Sequence, residues 1–311
     1  MNVLVTGAGG PAGVAVINAL GSGGHNVVAA DADPSAVGLR LAHASLILPR
    51  ADDPTMIDTL VAAVVAHRVE AIVSTVAEEM AALSDGSDAL DRAGARTWLP
   101  TAETIETCID KLRFAEAMTA AGLPVPVTAG PKAANQVPGP WIVKPRFGRG
   151  SRDVWSVDDE AHLEVACRVV PDPIVQTRLV GREFTVDALV DHDGTLAGAV
   201  PRWRVETKAG ISTKGETFVD PEVTKVTEHA LAAAGLTGVA NVQGFVDDHG
   251  TVWLMEINPR FSGGLPLSLA AGADLVGEYL RGVIGEPIRP DRLVHRAGVV
   301  MLRHHAEVFE G

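Results

Sequence analysis

The chain has 311 residues, 47% of them apolar and only 4% aromatic, with a formal net charge of −13. That length allows two or three domains with cores of small aliphatic side chains. The acidic balance, without a long basic run, excludes nucleic acid as a bulk partner, and no apolar run approaches the ~18 residues of a membrane span. Cys108 and Cys167 show no metal-ligand spacing, and with no signal peptide in view they fit a reducing cytoplasm.

In chain order, residues 1–34 predict a strand at Val3–Val5, a glycine turn, a helix from about Pro11 to Leu20 and a strand at Val27–Ala30. A helical pattern over Met56–Val65 and a strand at Ala71–Ser74 continue the βαβ alternation of a parallel, doubly wound sheet. Trp98-Leu99-Pro100 marks a boundary, and a helix follows over Asp110–Ala121, closed by Gly122. Beyond it the pattern changes to short strands at Trp141–Lys144, Val154–Val157, Ile174–Thr177, Glu183–Val190 and Thr195–Pro201. With helices near Asp159–Val169 and Pro221–Ala234, these predict antiparallel sheet. The fold class is therefore α/β followed by α+β.

Thr6–Gly13, TGAGGPAG, satisfies T-G-x-x-G-x-x-G, and Asp31 ends the second strand, where an acid would hold a ribose in a dinucleotide fold. Short-chain dehydrogenases with that spacing also carry Tyr-x-x-x-Lys. The single tyrosine here, Tyr279, has Val283 four residues on. The alternative is a glycine turn that serves close strand–helix packing.

In WIVKPRFGRGSRDV (141–154) an apolar strand ends at Lys144 and a loop of small and basic residues follows. Glycines let backbone N–H groups approach phosphates, and Lys144, with Arg146, Arg149 and Arg152, would add charge. The spacing is not that of a P-loop, and a solvated basic hairpin is the plain alternative. IVQTRLVGREFTVD (174–187) breaks at Gly181 and resumes at Glu183. Backbone groups at such a break suit an adenine edge and Glu183 suits ribose hydroxyls, although by itself a charge on the open face of a sheet is the simpler reading.

NVQGFVDDHGTVWLMEINPR (241–260) predicts a hairpin turning at Asp247–Gly250, with Gln243 opposite Leu254. The two-residue period puts Trp253, Met255 and Ile257 on a core face and Glu256, Asn258 and Arg260 on the other. Gln243, Glu256 and Asn258 then offer oxygens suited to Mg²⁺ carried by a nucleotide, and Arg260 suits a phosphate. A structural polar ladder is the alternative.

The order Asp110-Lys111, KPRFGRGS, VQTRLVGREFTVD, NVQGF, MEINPRFSGG resembles the ATP-grasp superfamily, nearest its carbamoyl-phosphate-synthetase-like branch, over nearly the whole chain. The resemblance implies a Rossmann-like pre-ATP-grasp domain (1–100), a small ATP-grasp lobe with the glycine-rich loop (101–180) and a large lobe with the metal site (181–311). It implies that Lys111 and Lys144 contact ATP phosphates under a loop containing Gly150 and Ser151. Gln176, Thr177 and Leu179 fall at the adenine hinge, with Thr177 where many members have Glu. Glu183 matches the ribose acid, and Gly210, Ile211 and Ser212 match a segment lining the site. Gln243, Glu256 and Asn258 match ligands of Mg²⁺ or Mn²⁺, and Arg260 matches the arginine at the transferred phosphoryl group.

The implied activity is a carboxylate–amine ligase using ATP through an acyl phosphate, with small-molecule carboxylate and amine substrates and no nucleic-acid or membrane partner. Many members are dimers, which allows a homodimer here. Arg202 and Arg204 share a strand face, so one of them could fork an acceptor carboxylate, or both could be a plain surface pair. A nicotinamide oxidoreductase and a non-catalytic nucleotide sensor are the rival functions.

Overall fold

The computed structural model describes residues 1–148, 150, 152–304 and 306–309, and among them the chain forms three sheets. The first is parallel, with β1 (Asn2–Thr6), β2 (Asn26–Asp31), β3 (Ala44–Ile47) and β4 (Ala71–Ser74) in the order β3-β2-β1-β4. Val3, Leu4 and Val5 are fully buried, as expected for a strand covered on both faces. The helices Pro11–Ser22 and Met56–His67 supply covers, the first with Pro11 at its opening turn, where no backbone N–H is needed.

The second sheet is small and antiparallel: β5 (Thr128–Ala129), β6 (Trp141–Pro145), β7 (Trp155–Val157) and β8 (Pro173–Thr177), ordered β5-β8-β6-β7. The helix Glu160–Val169 packs Leu163 and Ala166 on Val143, Val157 and Val175. The third sheet holds β9 (Arg182–Val190), β10 (Leu196–Lys208), β11 (Ile211–Thr217), β12 (Gly238–Val246), β13 (Val252–Asn258) and β14 (Val300–Leu302). Its order is β13-β12-β9-β10-β11-β14 and its pairings are antiparallel.

Strand β9 shows how this sheet positions a site. Its even residues Phe184, Val186, Ala188 and Val190 join a core with Phe114 and Met118 of the helix Lys111–Ala120 and Val223 of the helix Pro221–Ala233. Its odd residues change character along the strand. Leu189 packs in a core shared with Val3, Val5 and Trp98, Asp187 and Thr185 enter a buried polar network, and Glu183 reaches an open cleft. One end of that face is thus sealed by the N-terminal layer, while the other stays available to a ligand.

Two expectations change. Strand β10 runs on to Lys208 rather than ending at Pro201, because it pairs with β11, whose polar sequence hides its strand character. Strand β13 carries a bulge. Gln243 pairs with Glu256 and Gly244 with Leu254, leaving Met255 as the extra residue, so Gln243 does not lie opposite Leu254. The bulge reverses the alternation. Val252, Leu254 and Ile257 are the buried set, while Trp253 and Met255 are half-buried and Met255 lines the cleft beside Glu256. Gly244 permits it: a Cβ there would sit 2.2 Å from the Trp253 carbonyl oxygen and 2.6 Å from the Phe184 ring.

Candidate active site

The small and large sheets enclose a cleft of about 320 Å³, within the usual size of a small-molecule site. Ile142, Val154, Leu179, Phe245 and Met255 form an apolar wall, and Lys111, Lys144, Glu183, Arg204, Glu256, Asn258 and Arg260 bring charge or polar oxygens. Gly148, Gly150, Thr177, Gly210 and Gln243 also line it.

Asp110 organises the entrance to the glycine loop. Its carboxylate caps the helix Lys111–Ala120 by accepting from Leu112 and Arg113, and receives Arg146 through Nε at 2.8 Å and Nη2 at 2.5 Å. Burial pushes Asp110 up, but these bonds outweigh it and hold it below the usual carboxylate range. Lys111 donates its ammonium to the Gly148 carbonyl at 2.9 Å. Lys144, 8% exposed, donates to Gln176 Oε1 at 3.0 Å, and Gln176 is anchored in turn on Thr128 at 2.8 Å. Burial pushes Lys144 down to about 8, with Lys111 adding to the shift and Glu256 opposing it. Burial lowers Lys111 too. Two ammonium groups held in a poorly hydrated site favour a polyanion.

At the far wall Asn258 Nδ2 donates to Glu256 Oε1 at 2.9 Å, and Arg260 Nη2 donates to Asn258 Oδ1 at 3.2 Å. Gln243 Oε1 accepts Arg204 Nη1 at 2.6 Å, and the same Nη1 lies 2.7 Å from Glu183 Oε1. Burial raises Glu183, with Arg204 working against the shift. Glu256, Asn258 and Gln243 are hard oxygen donors with a single carboxylate, a set that fits Mg²⁺ arriving with phosphates. Among the described residues no three His, Cys, Asp or Glu side chains gather as a metal site of their own.

The expected site residues separate into three groups. Lys111, Lys144, Gly150, Thr177, Leu179, Glu183, Gly210, Gln243, Glu256, Asn258 and Arg260 line the cleft. Gln176 is buried behind Lys144, and Ile211 and Ser212 pair with Lys208 and Thr207 in the β10–β11 hairpin rather than lining the cleft. Ser151 and Arg149 lie outside the described residues.

Arg202 and Arg204 are not a surface pair, and neither offers a free fork to an acceptor. Arg202 is 2% exposed, and its Nη2 donates to Asp187 at 2.7 Å, Ser262 at 2.9 Å and Thr185 at 3.0 Å. It braces the loop that follows Arg260. Apart from Leu179, the apolar wall escaped sequence reasoning because its residues come from three strands and two loop positions, and the Asp110–Arg146 link joins residues 36 apart.

Comparison with known proteins agrees with this geometry. Residues 169–306 match the family model "ATP-grasp in the biosynthetic pathway with Ter operon", and residues 3–97 match "PylC-like, N-terminal domain". The carbamoyl phosphate synthase large chain of Agathobacter rectalis is 26% identical over 235 residues, 65% of this chain but 21% of that protein, so the chain spans about a fifth of the curated relatives it matches. Among solved structures, the biotin carboxylase domain of Hydrogenobacter thermophilus 2-oxoglutarate carboxylase, in complex with MgADP, ADP and bicarbonate, superposes with a TM-score of 0.74. Its identity is 19%, covering 94% of this chain and 72% of that one. The L-amino acid ligase of Bacillus licheniformis gives 0.72 at 19% identity, covering 92% and 75%. These matches support an ATP-grasp protein similar to the carbamoyl phosphate synthase large chains. Among the described residues no helix is long and apolar enough to cross a membrane.

Proposed function

We propose that the chain is an ATP- and Mg²⁺-dependent ligase that activates a carboxylate as an acyl phosphate and joins it to an amine, releasing ADP and phosphate. The observation that carries this is the cleft itself. An apolar slot, two poorly hydrated lysines and an oxygen cluster with Arg260 lie along one wall after another.

The adenine takes the slot of Ile142, Val154, Leu179 and Phe245, and Glu183 accepts ribose hydroxyls. Lys111 and Lys144 neutralise phosphate charge, and Arg260 serves as the cation for the phosphoryl group in transit. Glu256 and Asn258, with Gln243 beside them, would hold Mg²⁺, and it would supply charge neutralisation at the phosphates. The loop at Gly148 and Gly150 excludes water, which would hydrolyse an acyl phosphate.

The test is nucleotide product analysis with ATP, Mg²⁺ and pools of amino acids and small carboxylates. ADP and phosphate that appear only with certain pools are the expected result. AMP and pyrophosphate would replace acyl phosphorylation with adenylation, and turnover of nicotinamide cofactors would restore the oxidoreductase rival. Glu256→Gln should lower ATP turnover by about 100-fold or more while leaving the thermal midpoint nearly unchanged. A large drop in that midpoint would assign Glu256 to the fold instead.

A further inference from the structure

Arg204 is a buried cation inside the nucleotide cleft that the chemistry above leaves without a role. Its side chain is 8% exposed. One guanidinium joins three elements: Nη1 donates to Glu183 on β9 and to Gln243 on β12, and Nη2 donates to the Gly210 carbonyl at 2.8 Å in the β10–β11 turn. Its Nε is buried with no partner. A charge held this deeply persists only while its partners stay fixed around it.

The arrangement decides where a divalent cation fits. Gln243 Oε1 already accepts a full positive charge at 2.6 Å. A dication on that oxygen would stand a few ångströms from the guanidinium, and in a partly desolvated cleft the two repel strongly. Glu256 is in the opposite situation. It accepts a hydrogen bond from the neutral amide of Asn258 rather than from a guanidinium. Arg260 meets Asn258 at a longer 3.2 Å and does not reach Glu256. Glu256 feels only the longer-range attraction of Lys111 and Lys144, so its carboxylate stays open to a dication, whereas the Gln243 oxygen already carries a direct contact with a cation.

We propose that Arg204 is the resident cation of this site: it positions Glu183 and Gln243, fills the charge position beside Gln243, and leaves room for one Mg²⁺ per nucleotide, on Glu256 and Asn258. Gln243 is then a positioning amide rather than a metal ligand. This rests on the nucleotide function proposed above. It makes Arg204 a positioning residue for the ribose and for metal stoichiometry.

The test counts Mn²⁺ bound per nucleotide by electron paramagnetic resonance on the full chain with saturating ADP, and compares affinities for ADP and 2′,3′-dideoxy-ADP by calorimetry. Wild type should bind one Mn²⁺. Arg204→Met should bind two, because the position beside Gln243 is vacated, and should lose about tenfold in its preference for the ribose hydroxyls. Arg204→Lys should keep one Mn²⁺, since the charge remains, yet still lose ribose preference because the fork is gone. The lysine variant decides alone if the methionine variant fails to fold. Two Mn²⁺ on wild type, or ribose preference unchanged in Arg204→Lys, would overturn this proposal while leaving the nucleotide function standing. Failure of wild type to bind ADP would overturn both.

Discussion

The chain has two glycine-rich turns after strands, one at Gly7–Gly10 and one around Gly148–Gly150, and they use glycine for opposite ends. In the first, space is the constraint. A Cβ on Gly13 would lie 2.2 Å from the Gly7 carbonyl oxygen, so glycine lets the helix Pro11–Ser22 press against the turn. The polar groups nearby are spent on the protein itself. Asp31 Oδ2 accepts the Gly9 N–H at 2.7 Å, and Thr6 and Ser74 donate to Glu79, whose carboxyl burial pushes up to about 7. The second turn is open. Gly150 has φ +68, and among the described residues the nearest atom to a Cβ there would be the Ala209 carbonyl oxygen, at 3.7 Å. Glycine there serves a left-handed backbone conformation, with Lys111 bonded to the neighbouring Gly148 carbonyl, and on the proposed function it lets phosphates approach. A glycine pattern alone therefore does not report a phosphate site. What discriminates is whether the surrounding N–H groups and charges are already spent on the protein.

The comparison can be broken by substitution. Gly13→Ala should have the largest effect, a loss of about 3 kcal/mol in urea unfolding, because a Cβ there meets backbone rather than a flexible side chain. An unchanged midpoint would mean that the first turn is as open as the second.

A smaller effect is expected from pH at the second turn. Lys144 carries its charge below about 8 in the free protein and loses it above. ADP affinity should therefore be level up to that range and then fall by at most about tenfold per pH unit. Lys144→Arg should remove the fall, since a guanidinium stays charged. A flat profile in wild type would detach Lys144 from the phosphates.

The smallest effect is that of Gly150→Ala. It should cost ADP up to about five-fold in affinity and the fold no more than about 1 kcal/mol, the backbone strain of an alanine held at positive φ. If stability fell as for Gly13 while ADP binding held, the two turns would have the same use.

The sequence made much of this legible where one strand or turn carries the signal. Ala71–Ser74 is a strand as the pattern predicts, and Trp141–Lys144 and Glu183–Val190 differ from the observed strands by one residue. The order of short motifs led to the superfamily. These are local properties, set by periodicity, caps and turn residues over a few positions. Misreadings came where two segments meet. Period 2 put Met255 in the core until the bulge opposite Gly244 turned it to the cleft. Arg202 and Arg204 look alike two residues apart in sequence. Asp187 and Ser262 bury one to brace a loop, while Glu183 and Gln243 hold the other in the cleft.

Composition and spacing by themselves determined many of the strands and helices, though not β11, and which residue types were available for chemistry. The tertiary structure decided which polar groups remain free to meet a ligand. Hydrogen bonds and charges are spent through space, between residues far apart in the chain, and only the packed fold fixes those pairings.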